Sequence, residues 1–209
     1  KGGKNLIPDR DVLVRCREAL EGSVPLRTLD FGAEDEKRLR GYAFLSAKPL
    51  LVVFNTGEDQ RDFNLPEDRK ETVSQPRTAW TSFCAALEMD LLEMGDQIEE
   101  FAREMGVETF SRERVIRMTY DLLGLVTFLT TGEPESRAWP ILKGMPAVRA
   151  AGAIHSDLER GFIRAETVSY EDLMRAGSWA AVRPQGFLRL EGKEYVIQEG
   201  DVILFRFKV

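Results

Sequence analysis

The sequence is poor in the side chains that build soft-metal centres and disulfides. Its 209 residues include two cysteines and one histidine, and no Cys-x-x-Cys pair occurs. Because structural zinc sites draw on four Cys or His ligands at characteristic spacings, a zinc centre is not expected. Cys16 and Cys84 lie far apart in apolar surroundings, which favours two structural thiols in a reducing cytoplasm.

Long apolar runs are also missing. A membrane-spanning helix needs about eighteen consecutive, mostly uncharged residues, and no stretch of this sequence approaches that length. Charged residues make up 31% of the chain and hydrophobic residues 43%, a balance typical of a folded globular protein rather than a disordered one. We therefore expect no membrane partner, no secretory leader and a cytoplasmic location.

Negative charge exceeds positive charge, but only in one part of the chain. The net charge is −6, which argues against a protein that coats nucleic acid by charge alone. Residues 125–209 hold eleven Lys and Arg and eleven Asp and Glu, so the whole excess belongs to residues 1–124. The acidity therefore belongs to the first part of the chain, and the second part is balanced as a whole.

The first part of the chain has the pattern of an α/β fold. Residues 50–54 form an uninterrupted apolar run that ends in Asn55-Thr56-Gly57, which is typical of a central strand in a parallel sheet. A second strand and its exit are predicted over residues 79–86. Helices are predicted at 10–21, 34–45 and 111–123, the last ended by Gly124.

After Gly124 the pattern changes to short strands mixed with two short helices, which predicts a small α+β domain. Glu191-Gly192-Lys193 is predicted to be a hairpin turn between two of these strands. The boundary between the two parts is placed near Gly124. Strands are predicted at 125–131, 136–142, 161–170, 187–190, 194–198 and 202–207, and helices at 146–153 and 171–176.

Short motifs that resemble catalytic signatures occur out of context. His155-Ser156-Asp157 holds the residue types of a hydrolase triad, but adjacent side chains on one backbone cannot converge as nucleophile, base and orienting group. No other acid–base or nucleophile constellation is found in residues 125–209. An enzyme with its own active site there is therefore the weakest hypothesis.

The informative feature is the polar end of the first predicted strand. Asn55 follows the strand directly, and Glu58 completes an Asn-x-x-Glu pattern at the edge where α/β sheets bind ligands. In nucleotide hydrolases an Asn at this place braces neighbouring loops and an acidic residue binds the edge of the base. Glu in place of Asp, and Thr56 in place of the usual Lys, weaken the argument for guanine. A turn that simply leaves the sheet is the alternative.

Longer segments resemble the Obg-like ATPases, the YchF family. In the first part the resemblance rests on the segment from Lys48 to Glu58 and on Cys84-Ala-Ala-Leu-Glu88. In the second part it rests on Arg137-Ala-Trp139, the segment from Ala150 to Ala165, and the closing segment from Gly192 to Phe207. The resemblance covers nearly the whole chain.

The resemblance implies an architecture. The family has an N-terminal P-loop domain with a helical insertion, followed by a TGS domain, which is a β-grasp module. Residues 1–46 would be a helical arm at the end of the insertion, residues 47–124 the C-terminal part of the nucleotide-binding domain, and residues 125–209 the TGS domain. The phosphate-binding loop and the Mg²⁺ ligand would lie before this chain, so the chain alone is expected to be inactive as a hydrolase.

The resemblance also implies a nucleotide site, with ATP preferred to GTP. One strand end would contact or brace the base, and the backbone after the next strand would close over its other face. Side-chain roles in that second segment are not expected. The residues concerned are Asn55, Thr56 and Glu58, and then Cys84, Ala85 and Ala86.

The second implied partner is RNA or the ribosome, contacted through the TGS domain. A basic segment around His155 offers phosphate contacts. The alternatives are that its arginines pair with neighbouring glutamates, Glu159 and Glu166, and that its histidine is structural, bonded at a helix end. The candidate RNA-contact residues are Lys143, Arg149, His155, Arg160 and Arg164.

Two functional classes therefore compete. The first is the base-recognition and RNA-contact part of a ribosome-associated, ATP-hydrolysing switch. The second is a stand-alone β-grasp adaptor whose first part is a scaffold that binds no nucleotide. A nucleotide-binding measurement separates the two.

Overall fold

The structure is a computed structural model that describes residues 7–60, 63–95, 98–104, 110–132 and 135–208. The chain folds into two compact units, Lys1–Leu122 and Leu123–Val209. None of the helices in the described residues is both long and apolar enough to span a membrane.

The first unit contains a pair of parallel strands among helices. β1 (Leu50–Asn55) and β2 (Thr78–Phe83) pair in parallel, with Leu50 opposite Thr78 and Asn55 opposite Phe83, which confirms both predicted strands. The carboxyl ends of the two strands therefore lie side by side. The helices are α1 (Ile7–Glu21), α2 (Ala33–Leu39), α3 (Glu67–Val73), α4 (Ala85–Glu93), α5 (Ile98–Glu104) and α6 (Ser111–Leu123).

Two predictions for this unit are wrong. The helix predicted over 34–45 ends at Leu39, which is buried against α1, and Gly41 and a left-handed Ala43 with φ of 50° follow. Glycine is a poor helix former and a left-handed residue cannot continue a right-handed helix. β1 also lacks the burial of a central strand, because Val53 is 42% exposed. Within the described residues, β1 pairs with β2 alone.

The second unit is built on one five-stranded sheet. It contains β3 (Leu125–Thr131), β4 (Ser136–Leu142), α7 (Ala147–Ile154), α8 (Ser156–Arg160), β5 (Phe162–Ser169), α9 (Tyr170–Ala176), α10 (Trp179–Val182), β6 (Arg189–Glu191) and β7 (Asp201–Phe207). The strand order is β4-β3-β7-β5-β6, and every neighbouring pair is antiparallel except β3 with β7. Five of the six strands predicted for this part, and both predicted helices, are confirmed.

Alternate residues of the central strands supply two cores. Phe128 and Ile203 face a core that includes the buried side of α7. Val202 faces the opposite side of the sheet, into a smaller core with Leu173 of α9 and Val182 of α10. This alternation is the period of two expected of strands that are covered on both faces.

The strand predicted over residues 194–198, and with it the hairpin turn at 191–193, is wrong. In the structure this segment makes one isolated bridge, from Val196 to the residue before α7. The Gln198 N–H donates to the Asp201 carboxylate at 2.9 Å instead of to a neighbouring strand. β6 pairs with β5, so the segment has no strand partner to extend.

A buried polar cluster fixes this segment in place. Asp201 is 2% exposed and accepts hydrogen bonds from Arg189 at 2.7 Å, from the Tyr195 hydroxyl at 2.8 Å and from Gln198 N–H at 2.9 Å. Burial, followed by the hydrogen bond to Asp201, raises the pKa of Tyr195 to about 12. The phenol therefore remains protonated and serves as a donor at neutral pH.

β4 is the outermost strand on one side of this sheet within the described residues. Its Pro140 lies opposite Thr127 of β3. The Thr127 N–H donates to Glu199 at 2.7 Å and the Thr127 carbonyl accepts from Gly200 at 2.9 Å, so both groups point away from β4. Thr127 and Pro140 are therefore a non-hydrogen-bonded pair of the antiparallel ladder.

Candidate functional site

The carboxyl ends of β1 and β2 are joined by hydrogen bonds at one edge of the sheet. The side-chain oxygen of Asn55 accepts from the Ala85 N–H at 3.1 Å. The Thr56 N–H donates to the Phe83 carbonyl at 3.0 Å. Asn55 thus connects the loop after β1 to the first turn of α4, which is what an asparagine that braces two ligand-binding loops would do.

The acidic residue of the Asn-x-x-Glu pattern lies on the same loop. Glu58 begins a short 3-10 turn that follows β1 closely. Asn55 and Glu58 are exposed, and Thr56 is half-buried. Within the described part of the chain the Glu58 carboxylate has no ion-pair partner, so it is available to accept hydrogen bonds from a ligand.

Among the described residues, one backbone donor in the first turn of α4 has no partner. A helix begins with N–H groups that have no acceptor within the helix. In α4 the Ala85 N–H bonds to Asn55, and the Leu87 N–H donates to the Cys84 sulfur at 3.5 Å. The Ala86 N–H has no acceptor among the residues the structure describes, and Ala86 is exposed. Because the Cys84 thiol caps the helix, this segment presents backbone atoms to a ligand.

Side chains and backbone of α6 form hydrogen bonds with α4 and with β2, the two elements that flank this segment. The Glu88 carboxylate accepts from the Ser111 N–H at 2.9 and 3.0 Å and from the Ser111 hydroxyl at 2.5 Å. Arg114 donates to the Ser82 carbonyl, near the end of β2, at 2.7 Å. Sequence analysis missed the roles of Glu88, Ser111 and Arg114, because the bonded partners are 23 and 32 residues apart.

Two of the predicted RNA-contact residues of the second unit are neutralised by nearby carboxylates. Arg149 binds Glu159 at 2.6 Å. Arg160 binds Asp157, one helical turn away, rather than the predicted Glu159. Lys143 is exposed in the turn after β4. The predicted basic segment therefore offers less free positive charge than its composition indicates.

The predicted histidine caps a helix. His155 lies between α7 and α8, and its Nδ1 accepts a hydrogen bond from the Asp157 N–H at 3.2 Å. This bond at a helix end is the one expected under the structural alternative.

Arg164 belongs to a different arrangement, built around a buried carboxylate. Glu166 is 2% exposed, and its two oxygens accept hydrogen bonds at 2.9 Å, one from Arg164 and one from Arg206. The pairing of Arg164 with Glu166 is the one that the alternative hypothesis expects. The hydrogen bond from Arg206 is the largest cause that lowers the pKa of Glu166, and the bond from Arg164 adds to it against the effect of burial. Sequence analysis missed Arg206, since only the strand register brings it beside Arg164.

We expect the second unit to lose stability in acid through Glu166. Its folded-state pKa lies below the ordinary value of 4.5, so the ionised carboxylate stabilises the fold above that value. This contribution is lost as the pH falls through the lowered pKa. Urea denaturation from about pH 6 to about pH 3 should therefore show a smaller fall in the free energy of unfolding for Glu166→Gln than for the unchanged protein. Glu194→Gln, at an exposed position, controls for the loss of one carboxylate; equal falls in all three proteins would contradict the expectation.

Comparisons with known proteins show which family this chain resembles. A family model named YchF-GTPase_C, described as a protein of unknown function (DUF933), matches residues 125–208. "Ribosome-binding ATPase YchF" from Bacillus subtilis is 41% identical over 212 residues, which cover 99% of this chain. The protein of the same name from Escherichia coli O157:H7 is 40% identical and covers the whole chain. Residues 125–208 therefore carry the YchF-GTPase_C domain, and the chain as a whole is similar to the YchF proteins.

The YchF relatives are longer than this chain. The chain spans 58% of the length of both bacterial relatives. It spans 51% of "Obg-like ATPase 1" from Caenorhabditis elegans, which is 36% identical over 94% of this chain. The range that the family model matches, residues 125–208, includes the positions of the buried Glu166 and of both of its arginines.

Two solved structures show the same mixed α/β fold. The YchF GTPase of Schizosaccharomyces pombe is 27% identical and superimposes with a TM-score of 0.79 over 99% of this chain and 57% of that chain. A GTP binding protein from Pyrococcus horikoshii OT3 is 17% identical, with a TM-score of 0.54 over 95% of this chain and 56% of its own. The second likeness concerns the fold alone.

Proposed function

We propose that this chain is the base-recognition and RNA-contact part of a ribosome-associated P-loop protein that hydrolyses ATP, and GTP less well. The observation that carries the proposal is the Asn55–Ala85 hydrogen bond, which joins two loops at the carboxyl edge of a parallel strand pair. α/β sheets bind ligands at that edge. The names of the bacterial relatives, ribosome-binding ATPases, support the choice of nucleotide and partner.

The groups at this edge suit a purine base. The exposed carboxylate of Glu58 accepts hydrogen bonds, as the exocyclic amine of adenine requires of a partner. The unpaired Ala86 N–H donates one, which suits the N1 acceptor of adenine better than the N1–H donor of guanine. Asn55 acts by holding the two loops together. The residues proposed to contact or brace the base are Asn55, Thr56 and Glu58, and the backbone of Cys84, Ala85 and Ala86.

Hydrolysis is assigned to parts of the relatives that this chain does not cover. Phosphoryl transfer depends on a phosphate-binding loop and Mg²⁺, which neutralise the charge that develops in the transition state. Among the described residues, no group of three or more His, Cys, Asp or Glu side chains is placed to hold a metal ion. We therefore assign no residue of this chain to Mg²⁺. Base contacts position a nucleotide without stabilising that charge.

The domain assignment follows the same proposal. Residues 1–46 form a helical arm, residues 47–124 the end of the nucleotide-binding domain, and residues 125–209 a β-grasp domain of the TGS type. The support for the last is a five-stranded sheet in which the central pair β3–β7 is parallel and α7 packs on one face. RNA or the ribosome is the proposed partner of this domain, through Lys143, Arg149, His155, Arg160 and Arg164.

Amide NMR spectra of this chain test the base site directly. We expect adenosine and ATP to shift the amide signals of Thr56 to Glu58 and of Cys84 to Ala86, with a dissociation constant of about 1 mM because the phosphate contacts are missing. Inorganic tripolyphosphate, which has no base, should leave these signals unchanged. Glu58→Gln should weaken adenosine binding about threefold, because a neutral amide oxygen replaces the charged acceptor.

Asp59→Asn is the matched control, because Asp59 is exposed on the same turn and has no role in the proposal. It should bind adenosine like the unchanged chain. If saturating adenosine moves none of these amide signals, the base site is refuted and the adaptor hypothesis is favoured.

A further inference from the structure

Two arginines lie side by side on neighbouring strands of the second unit. Arg164 of β5 and Arg206 of β7 are directly opposite each other in the strand register. Both bind the same carboxylate, since Arg164 Nη2 contacts one Glu166 oxygen and Arg206 Nη2 contacts the other, each at 2.9 Å. Like charges at facing positions of a sheet normally destabilise it. The buried Glu166 between them offsets this repulsion.

The balance of charge separates this arrangement from the other arginine pairs. Arg160 and Arg175 each bind one carboxylate, one helical turn away, so each pair is neutral. Here one carboxylate serves two guanidinium groups, which leaves one positive charge. The side chains of Arg164 and Arg206 are 46% and 51% exposed, whereas that of Glu166 is 3% exposed. The positive charge therefore lies at the surface and the negative charge beneath it.

The two guanidinium groups also keep free donors. An arginine has five N–H donors in a planar fork. Arg164 uses its Nε and Nη2, and Arg206 uses its Nη2, so within the described residues the Nη1 group of each has no acceptor. The side chains are already held in one orientation, so binding a further anion costs little additional rotamer entropy.

In the strand register the neighbours of Glu166 are apolar, and the acidic Glu191 lies opposite Ala165, which by alternation faces the other side of the sheet. The residues opposite Glu166 are Leu190 of β6 and Leu204 of β7. By strand alternation they share its face of the sheet, and Leu190 is 60% exposed. The face thus presents two cations beside apolar side chains.

We propose that Arg164 and Arg206 form a binding site for a phosphodiester group of RNA. The inference rests on the RNA contact proposed above. It places the main phosphate contact at Arg164 and Arg206 and not in the segment around His155. One residual positive charge matches one singly charged phosphodiester, and a planar guanidinium bonds two phosphate oxygens at once. Each phosphate contact of this kind releases a counterion, so the affinity depends on salt.

Fluorescence anisotropy with a labelled oligouridylate of about ten nucleotides tests the site on this chain. Arg206→Gln removes the residual charge, and we expect it to weaken binding about three- to tenfold and to reduce the salt slope by about 0.7. Arg206→Lys keeps the charge but loses the planar guanidinium that bonds two phosphate oxygens. The salt dependence of the affinity should therefore be unchanged, and binding should still be weaker. Arg175→Gln, which removes an exposed arginine paired with Asp172 and outside the proposed RNA contacts, should bind like the unchanged chain.

The outcomes are distinguishable. If the unchanged chain binds no oligouridylate, the proposed RNA contact fails, and this site with it. If the unchanged chain binds and neither Arg206 variant is weaker than Arg175→Gln, only the site is refuted. Should Arg206→Gln fail to fold, as thermal melting would show, the Arg206→Lys result decides. Competition by poly-glutamate that is as strong as competition by unlabelled RNA would overturn the assignment to phosphodiester and favour an acidic protein segment.

Discussion

Replacing Asp201 with alanine is expected to lower the free energy of unfolding of the second unit by about 2–4 kcal/mol. The carboxylate is 2% exposed and holds three donors, from Arg189, Tyr195 and Gln198. Alanine would leave the Tyr195 hydroxyl and the Gln198 N–H without this acceptor, whereas Arg189, whose side chain is 43% exposed, keeps the Glu191 carboxylate at 3.6 Å. Breaking one partner of a buried ion pair is costly for this reason, even where the pair itself contributes little net stability.

Urea denaturation of Asp201→Ala beside Glu194→Ala measures this effect. Glu194 is exposed on the segment that Asp201 holds and has no ion-pair partner in the described part of the chain, so its loss should change stability by less than about 0.5 kcal/mol. The NMR signals of residues 194–198 should also shift in Asp201→Ala, because the segment loses its anchor. A loss no larger than that of the control would show that the cluster is dispensable.

Phe128→Ala is the second large effect, with an expected loss of about 3–5 kcal/mol from the second unit. The ring is fully buried and packs edge-on against Phe205, with centroids 5.9 Å apart and planes at 89°. Truncation removes the apolar surface that this ring buries and leaves a cavity that the β-sheet cannot close. The strand backbone is fixed by its ladder hydrogen bonds, so relaxation recovers little of the loss.

Phe207→Ala gives the matched comparison, because the same chemical change is made on β7 at a position that is 42% exposed. We expect it to cost about 1–2 kcal/mol, since less apolar surface returns to water and no closed cavity forms. Equal losses in the two variants, measured by the same denaturation, would contradict the assignment of Phe128 to the core.

The sequence was informative where one local pattern decides the structure. The apolar run before Asn55 predicts β1, and the change to short alternating strands after Gly124 predicts β3 and β4, because strand burial repeats every two residues. These features depend on neighbours in sequence.

Features that depend on distant partners could not be predicted. Residues 194–198 have the composition of a strand, but their donors are taken by the Asp201 carboxylate and the start of α7. The role of Glu88 depends on Ser111, 23 residues away. Arg160 was expected to bind Glu159 and binds Asp157, because residues three apart face each other on a helix while adjacent ones do not.

The pairing of Thr127 with Pro140 has a consequence for how this protein behaves at high concentration. Since Thr127 directs its backbone groups toward β7, the backbone groups of Pro140 face outward from β4. Proline has no N–H, so the exposed side of β4 lacks a donor in the middle of its length. A strand from another molecule therefore cannot form a continuous hydrogen-bond ladder with β4. This protects the edge against the edge-to-edge strand pairing that begins aggregation.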